Sequence, residues 1–446
     1  MKIRNILPIV LLFTVMPEAI AQKVLSLNDC ERMALENNMK LQNAKLSVEA
    51  ARHTRKEAFT NYFPEVSGTG TWFNANHGLA RTDISTANIL PSDIATMLPP
   101  ELLGTLPSSV PISLLKNGTV GSVTATLPIF TGGRIVNGNK LAKVGEAAAE
   151  LQRKLTEDEV LLTTSSYFWQ VANLQEKLET ILSVQKMLER LLKDVETAVE
   201  AGMTTRNDLL RVQLQIQDVA SRRLTVENGI AVCKMQLTQF IGADADNFEL
   251  KYSVTDKCEN PVTFYCDHTQ AVAGRTETGL LDLNVRAAKL KKRISFGGQL
   301  PSVGIGGGYV YNDLLGKSNN SGIVYVSVSV PISGWWRGTH AHKRHRVLEL
   351  QAVNERADKI ELMTVETKQT WNELVEAYEQ LSLAETSIKQ ATENLRIVEN
   401  TYKAGTVPLT DLLDAQVLFR QSRNQYSDAY SVYRIKELRY EQITQR

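Results

Sequence analysis

The distribution of proline and glycine constrains this chain more than any other feature. From Thr339 to Ala404 there are 66 consecutive residues without either, and from Glu146 to Ala201 there are 56. A single helix over the longer stretch would be ~99 Å long, far beyond the helices of ordinary globular domains. Apolar residues recur at intervals of three and four from Leu141 to Val199. The pattern therefore predicts long helices that pack as coiled coils.

Short segments with a period of two interrupt the helical stretches. Apolar and polar residues alternate in residues 323–332, 122–129 and 65–72, and more weakly in the glycine-rich 302–311. Each segment has the length that a tilted strand needs to cross a membrane. The chain is therefore predicted to be an α+β membrane protein rather than a helical rod. Aromatic residues lie at the strand ends, as they do at membrane–water interfaces: Tyr62, Phe63, Trp72, Phe73, Phe130, Tyr309, Tyr311, Trp335 and Trp336.

The two halves of the chain repeat each other at an offset of 203 residues. The tripeptide LPI at 127–129 recurs as VPI at 330–332, and GMTTRNDLLRVQ at 202–213 recurs as GTVPLTDLLDAQ at 405–416. One offset shared by two distant sites indicates an internal two-fold repeat far more strongly than either match alone.

Each repeat is predicted to contain a helix, a β-hairpin, a long helix, a tight turn and a further helix. The first repeat covers 22–241, with its first helix at 26–60, its hairpin at 63–130, a long external loop at 77–118, and helices at 134–201 and 203–241. The second covers 276–446, with its hairpin at 300–333 and helices at 335–404 and 406–445. Residues 242–275 form a linker region between the repeats.

Residues 1–21 have the form of a secretory signal peptide. Lys2 and Arg4 precede a short apolar core, and Ala19-Ile20-Ala21 is a small-residue cleavage site. A formal net charge of +1 does not favour a nucleic-acid partner. We find no phosphate-binding loop, zinc-enzyme signature or nucleophile motif, so the sequence predicts neither an enzyme nor a cofactor.

Two groups of residues, a pair of cysteines and a histidine-rich stretch, each allow two interpretations. Cys258 and Cys266 lie close together in a turn-rich segment of an exported chain, so a disulfide and two separate thiols are both open. Residues 340–346 read HAHKRHR, and His342 and His345 share a helix face, which is compatible with a metal site. A charged helix start near lipid headgroups explains this basic stretch as well, and we predict no metal.

Four strands cannot close a barrel by themselves. In lipid, an open sheet edge leaves unpaired backbone amides that cost several kcal/mol each. The smallest single-chain barrels have eight strands. The chain is therefore expected to share a barrel with other copies, and the strand count alone allows two, three or more.

These features resemble the TolC family of outer-membrane efflux proteins over essentially the whole chain after the leader. The resemblance is carried by LSLNDCERMALENN (25–38), YFPEVSGTGTW (62–72), LPIFTGG (127–133) and the two turn motifs. It implies a homotrimer in the outer-membrane lipid, with a shared twelve-stranded antiparallel β-barrel, a periplasmic tunnel of helices, and an equatorial region that includes residues 242–274.

The resemblance also implies a function. Such a channel conducts substrates passively outward, from a periplasmic adaptor (membrane fusion) protein and an inner-membrane pump to the exterior. The alternatives are a periplasmic adaptor, or a structural coiled-coil protein without a pore. The cargo is not indicated by the sequence.

Asp411 and Asp414 lie three residues apart after the turn at Gly405, so they share one helix face. Three copies would give two rings of carboxylates, which favour cations at a constriction. By the resemblance, these two residues line the periplasmic constriction of the channel. The alternative is that Asp411 caps the helix and Asp414 is solvated.

The resemblance further implies a latch that holds the entrance closed. Tyr402 matches a tyrosine of this latch and Asp208 its acidic partner. The family's arginine, two residues beyond Gly405, is Val407 here, and Arg211 is a candidate substitute. The turns at Gly202 and Gly405 are expected to face the adaptor.

Overall fold

The computed structural model describes residues 23–85, 107–114, 116–243, 248–254, 256–314, 317–332 and 334–445. The predicted signal peptide and residues 86–106 of the predicted external loop lie outside this description. The helices are α1 (Leu27–Asn37), α2 (Met39–Thr60), α3 (Arg134–Glu200), α4 (Arg206–Ile241), α5 (His268–Gly274), α6 (Thr276–Gly297), α7 (Gly334–Lys403) and α8 (Leu409–Thr444). The strands are β1 (Lys23–Leu25), β2 (Glu65–Asn74), β3 (Ala80–Ser85), β4 (Ser109–Leu114), β5 (Asn117–Phe130), β6 (Phe248–Leu250), β7 (Ser302–Leu314) and β8 (Lys317–Ser329).

The predicted fold class is confirmed, because long helices and one four-stranded antiparallel sheet dominate the molecule. Helices α3 and α7 have 67 and 70 residues, and α4 and α8 have 36 each. The second members of the helix pairs begin at Arg206 and Leu409, three residues later than the sequence pattern suggested. The reason is local, since Thr205 and Pro408 are the N-cap residues. No described helix has a segment long and apolar enough to cross a bilayer.

The first helix of the first repeat, expected as one segment, is divided at Asn38. This residue is extended, with φ −62° and ψ 123°, and its backbone N–H donates to Ala34. Its side-chain oxygen accepts from the backbone N–H of Lys40 at 2.9 Å, while its side-chain amide donates to the Phe240 carbonyl at 3.0 Å. Asn38 therefore ends α1, starts α2 and ties both helices to the end of α4.

The contacts divide the chain into two compact units, and each unit takes residues from both repeats. The first unit comprises the described residues up to Leu46, with Gln152–Thr278 and Lys359–Arg446. The second comprises Ser47–Leu151 and Gly279–Asp358. The two repeats therefore do not coincide with the two units. The repeats are halves of the sequence, whereas the units are groups of residues that contact one another in the fold.

The first unit contains two apolar clusters between the helices. One is rich in aromatic side chains and includes Phe168, Trp169 and Tyr430, whose Trp169 and Tyr430 rings lie 5.5 Å apart. The other joins the turn-proximal ends of the helix pairs and includes Val195, Val212, Leu395 and Leu412. The apolar residues that recur at intervals of three and four thus form one buried stripe along each helix.

The first unit also contains a small parallel ladder that the sequence analysis did not predict. Strand β1 pairs with β6, so that Val24 lies opposite Glu249. The Lys251 N–H extends the ladder by donating to the Leu25 carbonyl at 2.8 Å. This pairing ties the described N-terminal residues to the segment between the two repeats.

The second unit contains the four-stranded sheet, in the order β2-β5-β7-β8. All three pairings are antiparallel, and the β5–β7 pairing joins the hairpin of the first repeat to that of the second. The register shifts once, between Pro128 and Phe130, where a proline cannot donate to the ladder. Strands β2 and β8 are the two edges of this sheet.

The register of this sheet separates apolar from polar side chains across all four strands. Val66 lies opposite Ala125, Leu127 opposite Ile305, and Ile305 opposite Val326, so these side chains share one face. That face is exposed, with Val324 90% and Val326 69% accessible. The other face has hydroxyl ladders, in which Thr69 Oγ1 and Ser122 Oγ are 2.8 Å apart and Ser67 Oγ and Thr124 Oγ1 are 3.2 Å apart.

Glycines in β7 make room for one tyrosine on the polar face. A Cβ on Gly306 would lie 2.4 Å from the Tyr325 ring, so only glycine leaves the ring in place. Tyr325 thereby reaches across β7, and its hydroxyl lies 3.1 Å from Thr126 Oγ1 on β5. This contact links the two hairpins on the polar side of the sheet.

A close backbone contact joins the two hairpins where the strands meet the helices. Gly132 has φ +64°, and a Cβ there would lie 2.1 Å from the Gly297 carbonyl oxygen. A Cβ on Gly297 would lie 2.3 Å from the Gly132 carbonyl oxygen. Both positions therefore require glycine, for space at each and for backbone conformation at Gly132.

The loop predicted at 77–118 contains further structure in its described part. Strands β3 and β4 form a separate antiparallel pair, with Thr82 opposite Ile112. The alternation in this part of the sequence was too short to predict these strands.

Candidate functional site

The turns that end α3 and α7 have the same backbone hydrogen bonds at the same offset. Gly202 N–H donates to Val199 and Met203 N–H to Ala198, just as Gly405 N–H donates to Tyr402 and Thr406 N–H to Thr401. Gly202 and Gly405 have φ of +72° and +71°. A left-handed glycine therefore ends each long helix and reverses the chain.

Asp208 belongs to a capping box at the start of α4. Its Oδ2 accepts hydrogen bonds from Thr205 Oγ1 at 2.7 Å and from Thr204 Oγ1 at 2.8 Å, while Thr205 Oγ1 accepts from the Asp208 N–H at 3.3 Å. These hydrogen bonds hold the pKa of the Asp208 carboxyl below its usual value, and the charge of Arg211 adds to the effect. The carboxylate is therefore engaged by its own turn.

Asp411 and Asp414 follow the second turn and point outward. Both are exposed, whereas Leu412 and Ala415 between and beyond them are buried. The N-cap residue of α8 is Pro408, which makes no side-chain capping bond and has no backbone N–H to donate. A capping box like that of Thr205 and Asp208 therefore has no partner for Asp411 at Pro408, while the alternative that Asp411 caps the helix and Asp414 is solvated stays open. The Asp411 carboxylate accepts a long hydrogen bond from Thr410 Oγ1 at 3.4 Å.

Tyr402 lies in the last turn of α7, partly buried against the turn-proximal apolar cluster. It lines a cavity of 130 Å³ with residues of α3 and α8, including Asp194, Leu191 and Gln416. Burial raises the pKa of Tyr402, and the charges of Asp208 and Asp194 raise it further. Asp194 was not identified from the sequence, because its position in the middle of a charged helix face carries no signal.

Within one chain, the charge of Arg211 lowers the pKa of Asp208, and the charge of Asp208 raises the pKa of Tyr402. No hydrogen bond between Tyr402 and Asp208, and no ion pair between Asp208 and Arg211, occurs among the residues that the structure describes. Arg211 is exposed. The latch therefore stays a prediction, and within the chain the Asp208 carboxylate serves the helix cap.

The possible disulfide between Cys258 and Cys266 is not formed. Both are free thiols. Cys258 Sγ lies 4.0 Å from the Asp256 carbonyl oxygen and Cys266 Sγ lies 3.7 Å from the Asp267 carbonyl oxygen, so each sulfur faces its own stretch of backbone. Burial raises the pKa of the Cys258 thiol to about 11, which makes it a poor nucleophile for disulfide exchange.

A buried polar group next to Cys258 was also missed by the sequence analysis. Tyr433 donates its hydroxyl to the Glu259 carbonyl at 2.7 Å and lies 3.2 Å from Glu437. Glu437 accepts a hydrogen bond from Arg434 at 2.6 Å, yet burial still raises its pKa. Tyr433 falls on an apolar helix face, where its pattern is that of an ordinary core residue.

A sheet whose strands have one apolar and one polar face is the strand pattern of outer-membrane barrels, and the chain combines it with long paired helices. The family model described as "Outer membrane efflux protein" matches residues 32–243 and 281–444, which is most of the chain. The chain belongs to this family. It is accordingly the outer-membrane channel component of an efflux system, with its helices in the periplasm.

Individual relatives agree with this assignment. Outer membrane protein TolC of Vibrio cholerae is 20% identical over 309 residues, which are 66% of this chain and 69% of the relative. Among solved structures, the channel-forming protein CusC has a TM-score of 0.75 at 14% identity, covering 94% of this chain and 91% of that chain. The Campylobacter jejuni CmeC outer-membrane channel has a TM-score of 0.74 at 14% identity, covering 94% and 85%. These structural likenesses show that the fold is shared.

Proposed function

We propose that this protein works as a homotrimer that conducts substrates passively out of the periplasm. Three copies would each contribute four strands to one twelve-stranded barrel in the outer membrane. A periplasmic adaptor protein and an inner-membrane pump would deliver the cargo to the helical end. The protein would act as a conduit and carry out no catalysis.

The separation of side chains across the four strands is the observation that carries this proposal. One face is apolar and exposed, as a lipid-facing surface must be, and the other carries hydroxyl ladders, as a water-filled lumen does. This alternation persists in register through both hairpins. A soluble sheet of this kind would expose its apolar face to water at a large cost.

The sheet edges support a closed ring of copies. Neighbouring strands alternate in direction from β2 to β8, so β8 of one copy can pair antiparallel with β2 of the next and continue the pattern. Such a head-to-tail contact forms a closed ring when the rotation from one copy to the next is a full turn divided by the number of copies. Closure would pair the two open edges, which are otherwise unsatisfied in lipid.

The helices of the first unit also have uncovered apolar side chains. On α7, Leu362, Leu383 and Ile397 are 53%, 68% and 48% exposed, and they are spaced by multiples of seven residues. On α4, Leu210 and Leu224 are exposed at the same kind of interval. A heptad spacing is the pattern of a coiled-coil seam, which in the proposed trimer would be covered by helices of neighbouring copies.

We place the constriction of the channel at Asp411 and Asp414. Their exposure, and the absence of a capping partner at Pro408, support a role toward the lumen. Asp208, Tyr402 and Arg211 would act at the same level as the latch between neighbouring helix pairs. The turns at Gly202 and Gly405 would contact the adaptor, and the exposed Met203 beside Gly202 supports this.

Planar bilayer recording of the purified protein tests the proposal. Discrete, cation-selective conductance steps from a three-chain species are the expected result. A periplasmic adaptor would remain water-soluble and would not insert. A structural coiled-coil protein would give no conductance at any voltage.

A further inference from the structure

Exposed cations gather where the second hairpin joins its helices. Between Asp282 and Glu349, the described parts of α6 and α7 contain no acidic residue. None of the seven exposed lysines and arginines from Lys289 to Arg346 in these two helices has an ion-pair partner among the described residues. We call them the basic collar: Lys289, Lys291 and Arg293 of α6, and Arg337, Lys343, Arg344 and Arg346 of α7.

The two helix ends that carry the collar are packed together. Gln299 donates its side-chain amide to the Gly338 carbonyl at 2.7 Å, and the Phe296 and His342 rings are 5.7 Å apart. Lys292 forms an ion pair with Glu349 in this contact. One face of α7 is therefore used for packing on α6, and the collar residues occupy the remaining arc.

The internal repeat shows the same arrangement at the first hairpin. Arg134, Lys140 and Lys143 of α3 stand 203 residues before Arg337, Lys343 and Arg346. All three are exposed. Glu146 is the counterpart of Glu349, and it pairs with Arg55 of α2 at 2.6 Å. Cations at the end of the strands are thus present twice in one chain.

The two sets of cations adjoin one another. A Cβ on Gly297 would lie 3.1 Å from Arg134 Cγ, so Arg134 of the first repeat lies against the end of α6. At the opposite end of the second hairpin, the described residues include Asp313 and Lys317, one of each sign. Among the described residues of the second hairpin, the excess of positive charge therefore lies at the helical end.

Arg337 lies in the first turn of α7, where a cation is unfavourable for the helix. The first turn of α7 contains no acidic residue, and cations near a helix N-terminus are repelled by its dipole. The cations of the collar and the helix terminus together create a strongly positive surface. Such a surface gains most from a bound anion.

We infer that the basic collar binds the anionic headgroups of phospholipids in the periplasmic leaflet. The inference rests on the proposed function, in which the apolar face of the sheet contacts lipid. Arg337 lies about 5 Å and Lys343 about 14 Å along α7 from its first residue, so their long side chains can reach the headgroup layer. Trp336, 81% exposed next to Arg337, has the position of an interfacial aromatic anchor.

Spin-label measurement on the reconstituted protein tests this inference. The full-length protein is placed in phosphatidylcholine bilayers with a trace of spin-labelled phosphatidylglycerol or spin-labelled phosphatidylcholine. The ratio of motionally restricted label gives the relative association of the two lipids. We expect about a fivefold preference for phosphatidylglycerol. It should decline in about 1 M NaCl, where the Debye length is about 3 Å.

Two triple variants with the same change of charge locate the effect. In K343Q/R344Q/R346Q, which keeps four of the seven collar cations, the preference should fall clearly below the wild-type value. The control K359Q/K368Q/K389Q removes three exposed cations further along α7 and should keep the wild-type preference. A preference that stays at the wild-type value in the collar variant, or that inorganic phosphate removes at constant ionic strength, would overturn the inference.

The outcomes also separate this inference from the proposed function. Wild-type protein that inserts, conducts and shows no lipid preference would overturn the collar and leave the channel standing. Protein that neither inserts nor conducts would overturn the proposed channel itself.

Discussion

Asp208 and Asp411 occupy the same position in the two repeats, 203 residues apart, but only Asp208 is held by a helix cap. Asp208 accepts hydrogen bonds from Thr204 and Thr205, whereas the residue equivalent to Thr205 is Pro408, which offers neither a hydroxyl nor an N–H. The duplication therefore produced two acidic residues with different neighbours. One stabilises its turn, and the other is the residue that we propose for the constriction.

The first prediction concerns the cap of α4. Asp208→Ala should lower the local opening free energy at the start of α4 by about 1 kcal/mol more than Asp411→Ala does at the start of α8. The measurement is hydrogen exchange of the amides at 206–209 and at 409–412. Because the Asp208 pKa is lowered, its stabilisation is present above the pKa of an unfolded carboxyl and is lost as the pH falls through the folded pKa. Equal effects at both sites would contradict the asymmetry.

The second prediction concerns the carboxylate rings. The double variant D411N/D414N should reduce the cation-over-anion permeability ratio several-fold in planar bilayers, because the proposed rings would lose all six charges. Its thermal stability should stay close to that of the wild type. Asp358→Asn, which removes an exposed carboxylate on α7 rather than on α8, is the control. Unaltered selectivity in the double variant would remove these residues from the constriction.

The third prediction concerns the latch. The double variant D208N/Y402F should raise the open probability of the channel, because Tyr402 lies in the field of Asp208 at the proposed entrance. The effect should exceed that of D208N alone, which also weakens the cap. Single-channel recording at fixed voltage measures it. An open probability no higher than that of D208N would discard Tyr402 as a latch residue.

The fourth prediction concerns the contact between the hairpins. Gly297→Ala would place a Cβ 2.3 Å from the Gly132 carbonyl oxygen, so the backbone must move at a cost of about 1–3 kcal/mol. Thermal melting of the reconstituted protein should show the loss. Gly145→Ala has open space around its Cβ and should be neutral or stabilising by up to about 1 kcal/mol. Similar melting temperatures for the two variants would show that the contact is not required.

The fifth prediction concerns Glu437, whose pKa is raised by burial. A raised folded pKa means that its stabilisation is complete below the unfolded pKa of about 4.3 and is lost as the pH rises through the folded pKa. The melting temperature of the wild type relative to Glu437→Gln should therefore decline between about pH 4 and pH 7. The exposed Glu361→Gln is the matched control. A difference that grows with pH would show that the ion pair with Arg434 outweighs burial.

The fold class could be predicted from the sequence because its signals are long or repeated. A 66-residue interval without glycine or proline permits little besides a long helix, and the strand alternation appears in the hairpins of both repeats. The β1–β6 pairing could not be predicted, since three-residue strands more than two hundred residues apart carry no periodic signal. The break at Asn38 depends on the Phe240 carbonyl, which is a tertiary contact.

The candidate site was only partly accessible to sequence reasoning. Thr205 followed three residues later by Asp208 is a capping-box signature, so this role could have been identified before the structure was known. The outward direction of Asp411 and Asp414 follows from the helical period. Asp194 beside Tyr402 could not be identified, because only the packing of α3 against α7 brings the two together.

The number of chains in the conducting species tests the central claim most directly. Native mass spectrometry of the protein extracted from outer membranes, combined with recording from the same preparation, should give three chains in the species that conducts. A stable monomer that stays in solution and does not bind lipid bilayers would contradict the account.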